Sequence, residues 1–458
     1  MKKVYCFVKP FFIIISFLVA SFLSAQMQNS FIPDSSRIRS LLVQKWFEQD
    51  LEILRYQKSE IYQNEVGINF QIRMEEQNDT FSLIVSPGHK ILVDVIKNGN
   101  IETIEAESYP AETTGSWVLI RDKKTQKPVC IKWFFHTDSQ VYVQFRPNGK
   151  KTLIDFLVFD AFFAKDVPMG LKFENIYGLS FVAMKKITVN TLPWEVTDVN
   201  KGMYSAIHQM VEIIRENLER IVYDKNIVLD EDGKHVNITT GEEKIILKEN
   251  EQSNKLYLSS AGFAKWIIDG LSIPITGSAL RIEPLKVPTQ RFASGSLNET
   301  VNAKYNINFS LDWTRHLAAA SLSITSGKTL KYNASTVDVS VYPFSYVKTE
   351  KGIERASEFI KNVGYDSKVL KPLFFCLATT EPDYFYLCAI RESNHRTPEV
   401  LYFNEVAIVF PWFDESGHFL VTVFESGIET SLDSFIRRYS DNYVHLTRVK
   451  ASEYFKVQ

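Results

Sequence analysis

Ser259 and Ser260 close a short apolar run, Leu256-Tyr257-Leu258, and open a helical pattern that continues past Gly262 and Trp266 to Leu271. A serine at the mouth of a helix has two physical uses. The helix N-terminus leaves backbone amides unpaired and gathers the positive end of the dipole, so it favours negative charge on a nucleophile placed there. The same amides are satisfied when a serine hydroxyl caps them, a contribution of about 1 kcal/mol. Nucleophilic use also needs a base, usually histidine, because the dipole alone does not generate a useful alkoxide population. His395, His418 and His445 lie downstream, and none stands at a spacing that marks it as the partner of Ser260. Asp312 and Arg315, three apart, are expected to pair near a helix start. Aromatic side chains often line peptide or sugar grooves. Trp266, Trp412 and Phe413 are the candidate binding residues, the last two at the end of a strand beside the presumed cleft. No HExxH, CxxC or Cys/His cluster occurs, so no metal site and no cofactor are expected.

Elements of two kinds must position these residues. Asp34-Ser35-Ser36 precedes Ile38, Leu41, Leu42 and Trp46, which recur at helical spacing. From Val66 the period changes to two. Runs such as 81–88, 90–96, 115–122 and 128–135 alternate and are punctuated by Gly, Pro, Asn and Asp, as in an all-β sandwich or barrel over about 60–190. Residues 153–163 are read as a single strand-like run, and 179–189 as another. The pattern shifts near Pro193, where a domain boundary is expected. Residues 203–222 form an amphipathic helix with Ile207, Met210, Val211 and Ile214 on one face, and His208 beside that stripe. Beyond the serine helix, 304–313 and 335–344 look strand-like, 354–366 looks like a helix closed by Gly364, and 405–426 makes two strands around a turn at Asp414-Glu415-Ser416-Gly417. A helix at 431–439 and a strand at 443–450 follow.

The first 25 residues carry Lys2, Lys3 and Lys9, an apolar stretch from Phe11 to Leu23, and small residues at Ser24-Ala25. This is the grammar of a secretory signal peptide, so an exported protein of the periplasm or cell surface is expected, with no stable membrane span after its removal. Of the 52 basic residues three lie in that leader, leaving 49 against 54 acidic ones and a net charge of −5. No basic block appears, which argues against nucleic acid as a partner. Past the leader only Cys130, Cys376 and Cys388 remain of four cysteines, too few and odd in number for a disulfide scaffold. A mature chain of about 430 residues exceeds one core and suggests two domains, 26–190 and 195–458.

The stretch Ser259-Ser260-Ala261-Gly262-Phe263 resembles the Asp-Cys-Ser-Gly-Phe motif of NlpC/P60 cell-wall peptidases, which have a papain-like fold. Glu405-Val406-Ala407-Ile408 resembles the family's second motif, a strand that opens with histidine. The resemblance covers about 200–458. It implies an α+β fold in which a helix packs on an antiparallel sheet, with a large insertion at about 272–390. It also puts Ser260 where the family has its cysteine and Glu405 where it has its histidine, 145 residues further on. Glutamate, with a reference pKa near 4.3, is a poor base for a hydroxyl, and losing either member of a nucleophile–base pair costs several powers of ten in rate. The expectation is a cell-envelope protein with an inactive NlpC/P60-like domain that binds cell-wall peptide or an envelope protein. Two alternatives stand beside it: a working amidase- or endopeptidase-type peptidoglycan hydrolase using Ser260, and an envelope structural protein.

Overall fold

The computed structural model describes residues 32–97, 100–244, 255–394 and 397–457; the leader at 1–25 and His395 lie outside them. The chain is α+β, β-rich at the start and mixed thereafter. It divides into two compact units, each discontinuous in sequence. The first holds the residues up to Val129 with Trp133–Phe135 and Glu174–Ile187; the second holds Cys130–Lys132, His136–Phe173 and Thr188–Gln458.

In the first unit, β1 (Glu60–Gln63), β2 (Asn69–Glu76), β3 (Thr80–Pro87) and β6 (Trp117–Asp122) form an antiparallel run in the order β1-β2-β3-β6. Between β3 and β6, β4 (His89–Lys97) and β5 (Asn100–Ser108) pair as a separate ribbon. Phe70, Ile72, Phe81, Leu83, Trp117 and Leu119 are buried. Into this core the helix Ser36–Leu42 inserts Arg39, whose guanidinium lies 4.7 Å from the Trp133 ring and 5.4 Å from Trp117. It donates to the carbonyls of Tyr177 at 3.1 Å and Leu179 at 2.6 Å and to Ser35 Oγ at 2.9 Å, so the buried charge is matched by oxygens. The run expected as a strand at 179–189 is instead the helix Phe181–Thr188. Its first turn is capped twice: Phe181 N–H donates to Asp34 Oδ2 and Ala183 N–H to Ser180 Oγ. Asp34 is distant in sequence, so local periodicity did not reveal it.

Strand β7 (Pro128–Phe134) carries the division between the units. In the second unit, β8 (Val141–Asn148), β9 (Lys151–Val158) and β10 (Ala161–Met169) form a meander. The single run expected at 153–163 is thus two strands, turning on Phe159-Asp160. The helix Ser205–Asn217 ends before β11 (Ile221–Tyr223), somewhat short of the expected 203–222. Strand β12 (Ile227–Leu229) pairs with β13 (His235–Asn237), and β14 (Leu256–Leu258) lies parallel to β11. The hairpin of β15 (Tyr346–Thr349) and β16 (Gly352–Arg355) extends the meander through β10. The last six strands are β17 (Tyr365–Asp366), β18 (Tyr384–Asn394), β19 (Thr397–Phe413), β20 (Phe419–Glu425), β21 (Ile428–Ser431) and β22 (Tyr443–Lys450). They make an antiparallel sheet ordered β17-β22-β18-β19-β20-β21.

Helices cover both faces of this sheet. On one, Phe263 of the helix Ser260–Thr276 meets Phe424, and Thr447 Oγ1 donates to the Thr314 carbonyl of the helix Phe309–Ser326. On the other, Phe374 of the helix Leu370–Thr380 lies 5.7 Å from Tyr386. Three runs differ from their sequence patterns. Residues 304–313 are not a strand: the helix Leu297–Tyr305 ends at Asn306 in the left-handed region, and Phe309–Ser326 buries Leu311, Trp313, Leu317 and Ala318 at helical spacing. The apparent alternation ran across the break between two helices. Residues 335–344 make only an isolated bridge, Asp338 to Thr447. Residues 354–366 are not a helix: Gly364 has φ +104° and packs its backbone on Val444, where a side chain would collide, so the glycine closes a turn.

Candidate functional site

Strand β14 delivers the chain to the helix Ser260–Thr276, and Ser259 is its N-cap. Ser259 Oγ accepts from the Gly262 amide at 3.1 Å and donates to the Ile227 carbonyl at 3.0 Å. The cap is therefore Ser259 and not Ser260. Gly262 is needed because a Cβ there would stand 2.5 Å from the Ile227 carbonyl and 3.2 Å from Val228 Cα. The Ser-Ser-Ala-Gly pattern is accordingly explained by capping and by close approach of the helix to β12. Ser259→Ala is expected to lower stability by about 1 kcal/mol and Ser260→Ala by less than half of that. Urea midpoints of the two variants measure the difference, and equal losses would contradict the assignment.

Ser260 is buried at the first helical position. Among the described residues its hydroxyl makes no hydrogen bond to a histidine or a carboxylate. The register of the sheet decides where Glu405 points. Ile408 stands opposite Phe424, which faces the Ser260 helix. Ala407 stands opposite Glu425 and Cys388, and strand alternation puts Glu405 with them on the other face. Glu405 adds to the fields at Tyr439 and at Tyr223, whose hydroxyls burial already pushes up, and Tyr223 pairs with Leu258, two residues before Ser260. Ser260 and Glu405 make no hydrogen bond to each other and form no nucleophile–base pair. Among the described residues no cysteine substitutes for them. Cys130, Cys376 and Cys388 are free and buried, which pushes the thiols up to about 11 at Cys130 and about 12 at Cys376, and well above the usual range at Cys388.

The aromatic candidates belong to the core. Trp266 is 2 % exposed and stacks on Phe263 at 5.6 Å. Phe413, 1 % exposed, packs with Phe375, Phe419 and Tyr204. Neither presents a face to a ligand. Trp412 is half-buried, with the ring of the exposed His208 4.1 Å from it.

Two charged clusters complete the picture. Arg315 does not take Asp312 as its carboxylate partner, as the spacing suggested, but Asp338: Nε donates to Oδ1 at 3.2 Å and Nη2 to Oδ2 at 2.7 Å. Asp312 instead accepts from the amide and hydroxyl of Thr289. Burial raises Asp338, but contacts with His445 and Arg315 outweigh it and hold the carboxyl well below the usual range. His445 is fully buried, which lowers its own pKa, and its Nδ1 has no partner among the described residues. With four bonds from the guanidinium to protein oxygens, this cluster is built to lock helix to sheet.

The second cluster ties the turn before β8 to the β19–β20 hairpin. His136 Nδ1 accepts from the Asp138 amide at 3.0 Å, Asp138 Oδ2 accepts from the Phe419 amide at 2.9 Å, and His418 Nδ1 lies 3.4 Å from Asp138 Oδ1. Burial, with help from the charges of His418 and Lys201, lowers His136 to about 4. An unfolded histidine binds its proton near pH 6.5, so between pH 6.5 and 4 the unfolded chain holds more protons and stability falls with pH, by up to about 3 kcal/mol. Asp138 is raised by burial and works in the opposite direction at the acid end. His136→Asn keeps an acceptor for the Asp138 amide and removes the titration. Unfolding midpoints at pH 7 and pH 4.5 are expected to differ less in that variant than in the parent, and an equal difference would contradict the assignment.

Residues 28–196 match a domain of unknown function (DUF8515). No curated protein and no solved structure matches the chain. Among the described residues no helix is long and apolar enough to cross a membrane, and no three His, Cys, Asp or Glu side chains are grouped to hold a metal ion. One feature the sequence did not disclose is a hollow in the second unit beside the Phe159-Asp160 turn. A two-residue hairpin turn is normally signalled by Asn-Gly or Asp-Gly, and Phe-Asp gives no such signal.

Proposed function

We propose that this is an exported cell-envelope protein whose second unit is a papain-like domain of NlpC/P60 type, retired as a peptidase and used to bind cell-wall peptide. What supports the proposal is that the helix opened by Ser260 packs on an antiparallel sheet, as the resemblance implies, while neither a histidine nor Glu405 bonds to Ser260 among the described residues. A buried hydroxyl without a base does not attack an amide at a useful rate. Binding needs only the surface of the fold, and the leader read at 1–25 would bring that surface to the wall.

Co-sedimentation tests the binding. The chain from Gln26 is mixed with purified peptidoglycan sacculi, spun, and measured in pellet and supernatant. Saturable retention in the pellet is expected, with Ser260→Ala retained equally. Absence of retention would contradict the wall as ligand and favour an envelope protein as the partner.

A further inference from the structure

We propose that the hollow between the Phe159-Asp160 turn, the β15–β16 hairpin and the start of the helix Leu370–Thr380 is the peptide site, and that it takes a short peptide with a free terminal carboxylate. This rests on the cell-wall reading and assigns its binding residues. The hollow has a volume of about 720 Å³, within the roughly 300–1,000 Å³ that small-ligand sites occupy.

Its lining carries charge of both signs. Lys348, Lys351 and Arg355 line it from the hairpin and make no ion pair among the described residues, with Glu358 the carboxylate whose field Arg355 feels. Lys371, on the opposite wall, pairs with Asp433 at 3.2 Å while its Nζ sits 5.2 Å from the Phe159 ring centre. Free cations of this kind recognise carboxylates through charge-assisted hydrogen bonds. Asp160, Glu350, Glu354 and Asp366 line the same hollow, so a polyanion such as a nucleotide would meet repulsion, whereas a peptide bearing both a carboxylate and an amine meets partners for each.

The turn is the second observation. Phe159 and Asp160 both have left-handed backbones, at φ +45° and +65°. A bulky aromatic there is unfavourable compared with Asn or Gly, and such outliers persist where the surroundings over-determine them, often at functional sites. Phe159 N–H donates to the Gln140 carbonyl at 3.0 Å, and the Asp160 carbonyl accepts from the Lys348 amide at 2.9 Å. The ring packs edge-on to Phe375 at 5.7 Å and remains half-buried at the wall of the hollow. The strained turn therefore fixes an aromatic shelf beside the cations. Stem peptides of the cell wall carry short backbones, free carboxylates and an amine, which is the combination this lining recognises.

The test is calorimetric titration of the chain from Gln26 with the tetrapeptide L-Ala-γ-D-Glu-L-Lys-D-Ala and with its C-terminal amide. The parent is expected to bind the acid roughly tenfold more tightly than the amide, and Lys351→Gln/Arg355→Gln to lose about the same factor. Phe159→Asn, which suits the turn, is expected to weaken binding without lowering the melting temperature. Variants that bind the acid as the parent does would overturn the assignment. Sacculus co-sedimentation of the same variants separates the two levels: full retention of the charge variant moves the site elsewhere and leaves wall binding intact. A parent that neither sediments nor binds the tetrapeptide refutes both.

Discussion

Asp338→Ala is expected to destabilise the second unit by about 3–5 kcal/mol, the range observed when one member of a buried ion pair is removed. Asp338 receives Arg315 Nε and Nη2, and its Oδ2 also accepts from the Tyr332 hydroxyl at 2.7 Å, with His445 Nε2 at 3.4 Å. Arg315 is 1 % exposed. Without Asp338 its guanidinium keeps only neutral oxygens, Thr289 Oγ1 and Asn362 Oδ1, both at 2.9 Å. A buried cation so left is costly because its remaining hydrogen-bond partners are neutral and the Asp312 carboxylate acts on it only at a distance, through Thr289. Against a total stability of about 5–15 kcal/mol, such a loss unfolds much of the population under mild denaturant. Asp338→Asn retains one acceptor and is expected to lose less. Urea titration at pH 7 measures both, and a loss below about 0.5 kcal/mol, the scale of a surface substitution, would show that the cluster does not lock the helix Phe309–Ser326 to β22.

Lys265→Met is expected to lose about 3 kcal/mol, and Lys265→Met with Asp269→Leu to regain most of it. The two residues pair one turn apart inside the Ser260 helix, Nζ to Oδ2 at 2.7 Å, with 0 % and 3 % exposure. Asp269 Oδ1 also accepts from the Leu280 amide at 2.8 Å. Burial pushes the Asp269 carboxyl up and the Lys265 charge opposes it. The single substitution strands a carboxylate among apolar neighbours, whereas the double one replaces both charges and leaves one amide to be resatisfied. A double-mutant cycle reads the coupling directly. Additive losses would show that the pair is not coupled.

How far the sequence disclosed this molecule follows from where each signal resides. The strand β14 leading into the serine helix, and the hairpin of β19 and β20, were legible because their periodicity and turn residues are local. The helix Leu370–Thr380 was not, since Leu373, Phe374, Phe375 and Leu377 are all buried and a helix apolar all round shows no stripe. The helix Phe181–Thr188 depends on a cap from Asp34, and the partner of Arg315 is Asp338, 23 residues away rather than three. The candidate site was legible only as positions. Ser260 and Glu405 fall on the expected helix and strand, but which face of the sheet the helix covers is a long-range choice that no local pattern encodes. Trp266 and Phe413 looked like binding residues because composition does not distinguish a core aromatic from an exposed one.

The second unit is proposed to bind cell-wall peptide without cutting it. The direct measurement incubates the chain from Gln26 with sacculi and analyses the supernatant for released peptides by mass spectrometry, with Ser260→Ala in parallel. The predicted result is no release above the protein-free control from either chain. Release by the parent that disappears in Ser260→Ala would contradict the account and make Ser260 a working nucleophile.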